Sequence, residues 1–186
     1  MRLRAAVSGG AAMPFEVARL FIGLELPLVQ GYGLTETSPV VAVNPLENNR
    51  PDSVGMPLRG IQVRIGADDE LQVKGPCTML GYWNNHVATA RMFTADGWLR
   101  TGDQARIDNG HVFITGRIKD ILVLSNGEKV PPGDMEMTIG LDPLFDQVLI
   151  LGEGRSYLTA LLVMNNELWP SLARSYGLDP DQAETL

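Results

Sequence analysis

Behind Pro14, a residue suited to a first helical turn, the apolar residues Phe15, Ala18, Leu20, Phe21 and Leu24 recur at three-to-four spacing. This spacing predicts an amphipathic helix from Pro14 to Leu26. The period then drops to two. Ile61-Gln62-Val63-Arg64-Ile65 and Glu70-Leu71-Gln72-Val73-Lys74 each alternate apolar and polar side chains, and Gly66-Ala67-Asp68-Asp69 between them has turn chemistry. A β-hairpin with one buried face is expected there. A second hairpin should join Gln104–Ile107 to His111–Thr115, because Asp108-Asn109-Gly110 supplies residues that tolerate positive φ. Residues 55 to 115 therefore read as mostly short antiparallel strands.

After Arg117 the pattern changes. An apolar run from Ile121 to Leu124 meets an Asn126-Gly127 turn, then a proline-started segment from Pro131 to Ile139, then strands over 146–151 and 157–164. That is α+β order and the start of a new unit. A last helix carries Leu168, Trp169, Leu172, Ala173 and Tyr176 and stops at Gly177. Asp179-Pro180 then looks like the start of another helix, so a chain cut from a longer one is expected.

Composition narrows the class. A chain of 186 residues with 45% hydrophobic and 20% charged residues can bury a real core and is globular. The net charge of -7, with basic residues scattered, argues against nucleic acid as a partner while leaving room for a small anion in a local site. Arg2 and Arg4 before Ala5-Ala6-Val7 imitate a signal peptide, but Gly9-Gly10 breaks the apolar run and Glu16 and Arg19 follow. No window reaches the length of a membrane span. The single cysteine, Cys77, has no partner for a disulfide and no metal-ligand neighbours, which suits a cytoplasmic setting and a buried structural role.

Candidate chemistry begins at Gly31-Tyr32-Gly33-Leu34-Thr35-Glu36. Tyr32 offers a ring face for a base, Thr35 a hydroxyl for a phosphate oxygen, and Glu36 a hard oxygen ligand for magnesium. Taken alone the stretch is equally an ordinary turn. Ser8-Gly9-Gly10-Ala11 is a small-residue loop against which a planar ring could lie, or a plain glycine turn. Asp103, ending Thr101-Gly102-Asp103, has two oxygens able to accept from both hydroxyls of a ribose. Arg117, in Gly116-Arg117-Ile118-Lys119-Asp120, can hold ribose or phosphate oxygens in forked geometry. Either residue by itself also fits a plain surface charge. Gly81-Tyr82-Trp83-Asn84, followed by Thr89, Phe93 and Asp96-Gly97-Trp98, reads as aromatic scaffold rather than ligand contact.

The order Ser-Gly-Gly-Ala, Tyr-Gly-x-Thr-Glu, Thr-Gly-Asp, Gly-Arg-x-Lys-Asp resembles the adenylate-forming superfamily, the AMP-forming acyl-CoA synthetases and their relatives. The resemblance runs from Ser8 to about Asn165. Asn126-Gly127-Glu128-Lys129-Val130-Pro131-Pro132 and the Tyr157–Met164 strand are most similar to the long-chain fatty-acid-CoA ligase branch.

The resemblance implies a mixed α+β fold. Residues 1–116 would be the C-terminal part of the large AMP-binding domain, β-rich over about 55–115, followed by a hinge at 117–120 and an incomplete small C-terminal domain at 121–186. It implies adenine against Gly9, Gly10 and Ala11 and against Gln30, Gly31 and Tyr32, with Thr35 at the α-phosphate and Glu36 on magnesium. Asp103 would bind the ribose diol, Arg117 ribose or phosphate, Lys119 would be the pivot, and Gly127 would line the pantetheine path. The implied substrates are ATP, a fatty acid and coenzyme A, with AMP as product and Mg2+ as cofactor. A homodimer and peripheral membrane association of the whole protein are compatible with it.

The family's glycine-, serine- and threonine-rich phosphate loop has no counterpart here. Its late catalytic lysine has none either, the lysines being Lys74, Lys119 and Lys129. These 186 residues alone are thus expected to be inactive. A fatty acyl-AMP ligase, a luciferase-like oxidase, an amino-acid adenylation domain and a noncatalytic AMP-binding or interaction module stand as alternatives.

Overall fold

The computed structural model describes residues 3–11 and 13–180. The chain divides between Lys119 and Asp120 into two compact units, and a 3₁₀ turn, Ile118–Asp120, spans the division.

The first unit opens with β1 (Ala6–Ser8), α1 (Phe15–Gly23) and β2 (Leu28–Gly33). The helix is shorter than its periodicity predicts, because Leu24 leaves helical geometry and Glu25 takes a positive φ. Only Ala18 of its predicted face is buried, while Phe15, Leu20, Phe21 and Leu24 are exposed. Strand β2 pairs in parallel with β1 and antiparallel with β3 (Val40–Val43), which pairs in turn with the short β4 (Met56–Pro57). The parallel pair was not legible as such from local alternation.

A second sheet takes the order β5 (Gln62–Ile65), β6 (Glu70–Lys74), β7 (Leu99–Asp108), β8 (His111–Arg117), all antiparallel. Both predicted hairpins are present. The second turns on Asn109-Gly110, each at positive φ as a two-residue hairpin loop requires.

The expectation of one buried face fails at β6, where Glu70, Leu71, Gln72 and Val73 are all buried. The strand lies between β5 and β7, and its polar side is sealed by hydrogen bonds rather than left to water. Gln72 accepts from Arg64 Nε at 2.8 Å, and Glu70 accepts from Arg100 Nη1 at 3.0 Å. A buried polar group so bonded escapes the desolvation cost of an orphan. Leu71, Ala105 and Val112 form one core cluster, Val41, Ala42 and Val73 another, and Tyr32 and Val63 pack on both.

The strand-rich reading of residues 55–115 misses α2 (His86–Met92), which Asn85 caps by accepting from the Ala88 N–H. Trp83 is 92% exposed, so the aromatic segment is not core at that position. Cys77 is half-buried at the edge of a core cluster rather than fully enclosed.

In the second unit β9 (Leu122–Val123) pairs with β10 (Lys129–Val130), followed by α3 (Gly133–Ile139), the antiparallel pair β11 (Phe145–Leu151) and β12 (Thr159–Met164), and α4 (Trp169–Ser175). Helix α4 ends before Gly177, at positive φ, as the sequence predicts. The helix expected after Asp179-Pro180 lies outside the described residues. Among the described residues, no helix is long and apolar enough to cross a membrane.

Candidate functional site

Two sequence motifs meet through the parallel pairing of β1 and β2, in which Ser8 stands opposite Gln30. Gly9 follows directly, and a Cβ there would sit 3.0 Å from the Gly31 carbonyl oxygen. The close approach of two bare backbones is what the glycine permits. Gly10 and Ala11 are exposed beyond it. Gln30 donates from Nε2 to the Pro51 carbonyl at 2.6 Å, so its side chain holds the 44–54 loop.

That loop is itself anchored at its far side. Asn44 donates to the Ser53 carbonyl at 2.7 Å, and fully buried His111 bonds Ser53 Oγ (3.0 Å) and Asn48 Nδ2 (3.1 Å) through its two ring nitrogens. The Nδ2 group of Asn48 can only donate, so His111 Nε2 accepts from it and Nδ1 faces Ser53 Oγ as donor. Neither His111 nor Asn44 stood out in the sequence; their signal is a register visible only after folding.

Tyr32 and Asp103 lie 71 positions apart, yet the Tyr32 hydroxyl donates to Asp103 Oδ2 at 2.6 Å. Asp103 stands opposite Arg117 across β7 and β8, and Arg117 Nε donates to Asp103 Oδ1 at 3.1 Å. The Asp103 backbone N–H donates to Thr101 Oγ1, whose hydroxyl donates to the Leu71 carbonyl at 2.7 Å. The carboxylate is thus fixed from both sides and is 4% exposed.

Each of its oxygens holds one partner and retains further acceptor capacity, so a ribose would share these oxygens with Tyr32 and Arg117 rather than meet a bare carboxylate. The Arg117 bond uses Nε only, and its side chain is 64% exposed. Burial, then the negative charge of Asp103 and the bond to it, push the Tyr32 hydroxyl far above its ordinary range, against smaller opposing effects of Thr101 and Arg117. Tyr32 is therefore a neutral donor at every physiological pH.

Thr35, Glu36 and Thr37 form a single 3₁₀ turn after β2. Gly33 makes the turn possible, since a Cβ there would lie 1.8 Å from the Pro39 carbonyl oxygen. Thr37, buried and absent from the predicted site, clamps the turn: its Oγ1 accepts from the Leu34 N–H at 2.9 Å and donates to the Pro39 carbonyl at 2.7 Å. Thr35 is left exposed.

Glu36 Oε1 accepts from the Tyr82 hydroxyl at 2.7 Å, and the Glu36 carbonyl accepts from the Met79 N–H at 2.8 Å. Tyr82 thus touches a predicted site residue, contrary to its reading as scaffold. Among the described residues no group of three or more His, Cys, Asp or Glu gathers. One carboxylate with an oxygen to spare fits a magnesium ion carried chiefly by phosphate and water oxygens, not one caged by protein.

Two predicted residues remain. Lys119 is exposed in the turn at the unit division. Gly127 sits in the second unit on the β9–β10 turn, its N–H donating to the Leu124 carbonyl at 2.9 Å.

The family described as AMP-binding enzyme matches residues 1–83, and AMP-binding enzyme C-terminal domain matches residues 119–176. The chain is 39% identical over 165 residues to the long-chain-fatty-acid–CoA ligase FadD15 of Mycobacterium bovis, covering 88% of this chain and 27% of that protein. It is 33% identical to the chloroplastic long-chain-fatty-acid–[acyl-carrier-protein] ligase AEE15 of Arabidopsis thaliana, over 88% of this chain and 26% of that one. The chain thus spans about a quarter of the length of these curated relatives.

Among solved structures it superimposes on the O-succinylbenzoate coenzyme A synthetase of Bacillus subtilis in complex with AMP. There the TM-score is 0.77 and the identity 27%, over 88% of this chain and 36% of that one. The same synthetase in complex with ATP and magnesium gives a TM-score of 0.76 at 28% identity, over 89% of this chain and 38% of that one. With both family descriptions matched in order along a mixed α/β fold, the chain belongs to the adenylate-forming superfamily of AMP-binding enzymes.

Proposed function

We propose that the protein carrying this chain is an ATP-dependent, AMP-forming long-chain fatty-acid-CoA ligase, and that residues 8–117 form the adenosine side of its site. The observation that carries the proposal is the convergence of Tyr32, Asp103 and Arg117, drawn from three separate motifs, on one buried carboxylate. Adenine lies against Gly9–Ala11 and Gln30–Tyr32, Asp103 accepts from the ribose hydroxyls, and Arg117 donates to ribose or phosphate oxygens. Thr35 donates to the α-phosphate. Bound magnesium, held by Glu36, supplies charge neutralisation at the phosphates.

The chemistry has two steps. A fatty carboxylate oxygen bonds the α-phosphorus as the bond to pyrophosphate breaks; the coenzyme A sulfur then bonds the acyl carbon as AMP leaves. Charge builds at phosphorus in the first step, which is where donors such as Thr35 and Arg117 act. Residues 117–120 serve as hinge between an AMP-binding domain (1–116) and a small domain (121–186), with Lys119 the pivot and Gly127 bordering the pantetheine in the second step. A cytoplasmic setting goes with this reading, as do peripheral membrane association and a homodimer for the whole protein.

The similarity to an acyl-carrier-protein ligase supports a second reading in which the acceptor is a carrier protein. Assaying the full-length protein with fatty acid and ATP, first with coenzyme A and then with a carrier protein, separates the two. Acyl-CoA formation is expected; acyl transfer to the carrier alone moves the assignment to the second reading. The 186 residues by themselves are expected to release no pyrophosphate from ATP and fatty acid, and turnover at the rate of a full-length relative would contradict that.

A further inference from the structure

Tyr82 belongs to a segment that the proposed chemistry does not use, yet its hydroxyl reaches Glu36 Oε1 at 2.7 Å. The contact is built rather than incidental. Met79 N–H holds the Glu36 carbonyl, so the 79–82 segment grips the Glu36 turn through backbone as well as side chain. Immediately before Tyr82, Gly81 sits at φ +149 with Thr89 so close that a Cβ would meet its Cγ2 at 2.7 Å. The Tyr82 N–H donates to Thr89 Oγ1 at 2.9 Å, and the Thr89 hydroxyl donates to the Asn85 carbonyl at 2.8 Å. Asn85 in turn caps α2. The capped helix therefore fixes the backbone from which Tyr82 projects.

On the Glu36 side, the clamp made by Thr37 leaves the carboxylate on a rigid turn. One oxygen of Glu36 is thereby oriented by a neutral phenol. The second oxygen remains to bind a cation.

We propose that Tyr82 is a positioning residue for a divalent cation: it orients the Glu36 carboxylate through Oε1 so that the other oxygen can ligate the metal that accompanies a nucleotide triphosphate. This rests on the reading of Glu36 as the metal ligand given above. A hydrogen-bonded partner behind a ligating carboxylate is a general requirement of tight metal sites, and its loss weakens metal affinity by roughly tenfold or more.

The test uses the full-length protein, Mn2+ as the spectroscopic probe for the cation, and a nonhydrolysable ATP analogue. Tyr82→Phe keeps the ring and removes only the hydroxyl. The expected result is a weakening of Mn2+ binding to the nucleotide complex, read by electron paramagnetic resonance, of about tenfold, with metal-free AMP affinity unchanged within about twofold. Thr89→Val, which loosens the backbone of Tyr82 without touching Glu36, should move Mn2+ affinity in the same direction by less.

Glu36→Gln separates the two claims. If Glu36→Gln leaves Mn2+ binding intact, Glu36 is not the ligand and the functional reading itself fails. If Glu36→Gln weakens Mn2+ binding while Tyr82→Phe does not, the positioning role is overturned and the functional reading stands. Equal loss of Mn2+ and metal-free AMP binding in Tyr82→Phe makes Tyr82 a scaffold residue and also overturns the proposal.

Discussion

Asp103 in the first unit and Gly127 in the second are held in opposite ways. In the first, the carboxylate of Asp103 is nearly sealed, and Glu70, Gln72, Thr101 and His111 are also buried polar groups, each with bonded partners. In the second, Ile150, Gly152 and Ala173 are the buried positions among the described residues, and Leu149, Leu161 and Val163 on β11 and β12 are exposed. Gly127 sits there on an exposed turn. A nucleotide contact needs groups fixed before the ligand arrives, which packing and satisfied polar networks provide.

If that contrast is real, matched substitutions should separate the units. Gly33→Ala should cost most, about 3 kcal/mol or more, because backbone rather than a flexible side chain blocks the new Cβ. Denaturant unfolding followed by Trp98 fluorescence reads this effect in the first unit. Leu71→Ala follows at about 2–4 kcal/mol for a fully buried leucine, whereas Leu161→Ala, 58% exposed, should stay within about 0.5 kcal/mol when followed through Trp169. Comparable losses from Leu71→Ala and Leu161→Ala would erase the distinction.

Tyr32→Phe should cost about 1–3 kcal/mol, since it strands Asp103 Oδ2 without its donor. Tyr32 also gives the first unit an alkaline limit. Its folded pKa lies above the unfolded value of 10.0, so the folded state binds the extra proton once pH exceeds that value. The stability it contributes is complete below pH 10 and falls as pH rises beyond it. Comparing denaturation at neutral pH and above pH 10 should show a decline that Tyr32→Phe lessens; an identical decline in the variant would place its origin elsewhere.

Local pattern carried the elements whose cause is local. The Asn109-Gly110 hairpin and the end of α4 before Gly177 follow from residues within a turn of one another. Alternation along β6 predicted one wet face, and it failed because burial on the second face depends on Arg64 and Arg100 arriving from neighbouring strands. Helix α2 went unread because it buries none of its residues and so presents no apolar face; the Asn85 cap was its available signal.

The contact of Tyr32 with Asp103 spans 71 residues and was legible only as two motifs of compatible chemistry, not as a bond. The contact of Tyr82 with Glu36 was hidden for the opposite reason: an aromatic among turn residues looks like packing until its hydroxyl is seen to reach a carboxylate.

The central claim is that Asp103, held by Tyr32 and Arg117, receives the ribose of an adenylate. Calorimetric titration of AMP into the full-length protein and its Asp103→Asn variant tests it most directly. The account predicts binding weakened by about tenfold or more in the variant, the loss of charge-assisted hydrogen bonds. AMP affinity unaltered by Asp103→Asn in a variant that unfolds like the parent would contradict it.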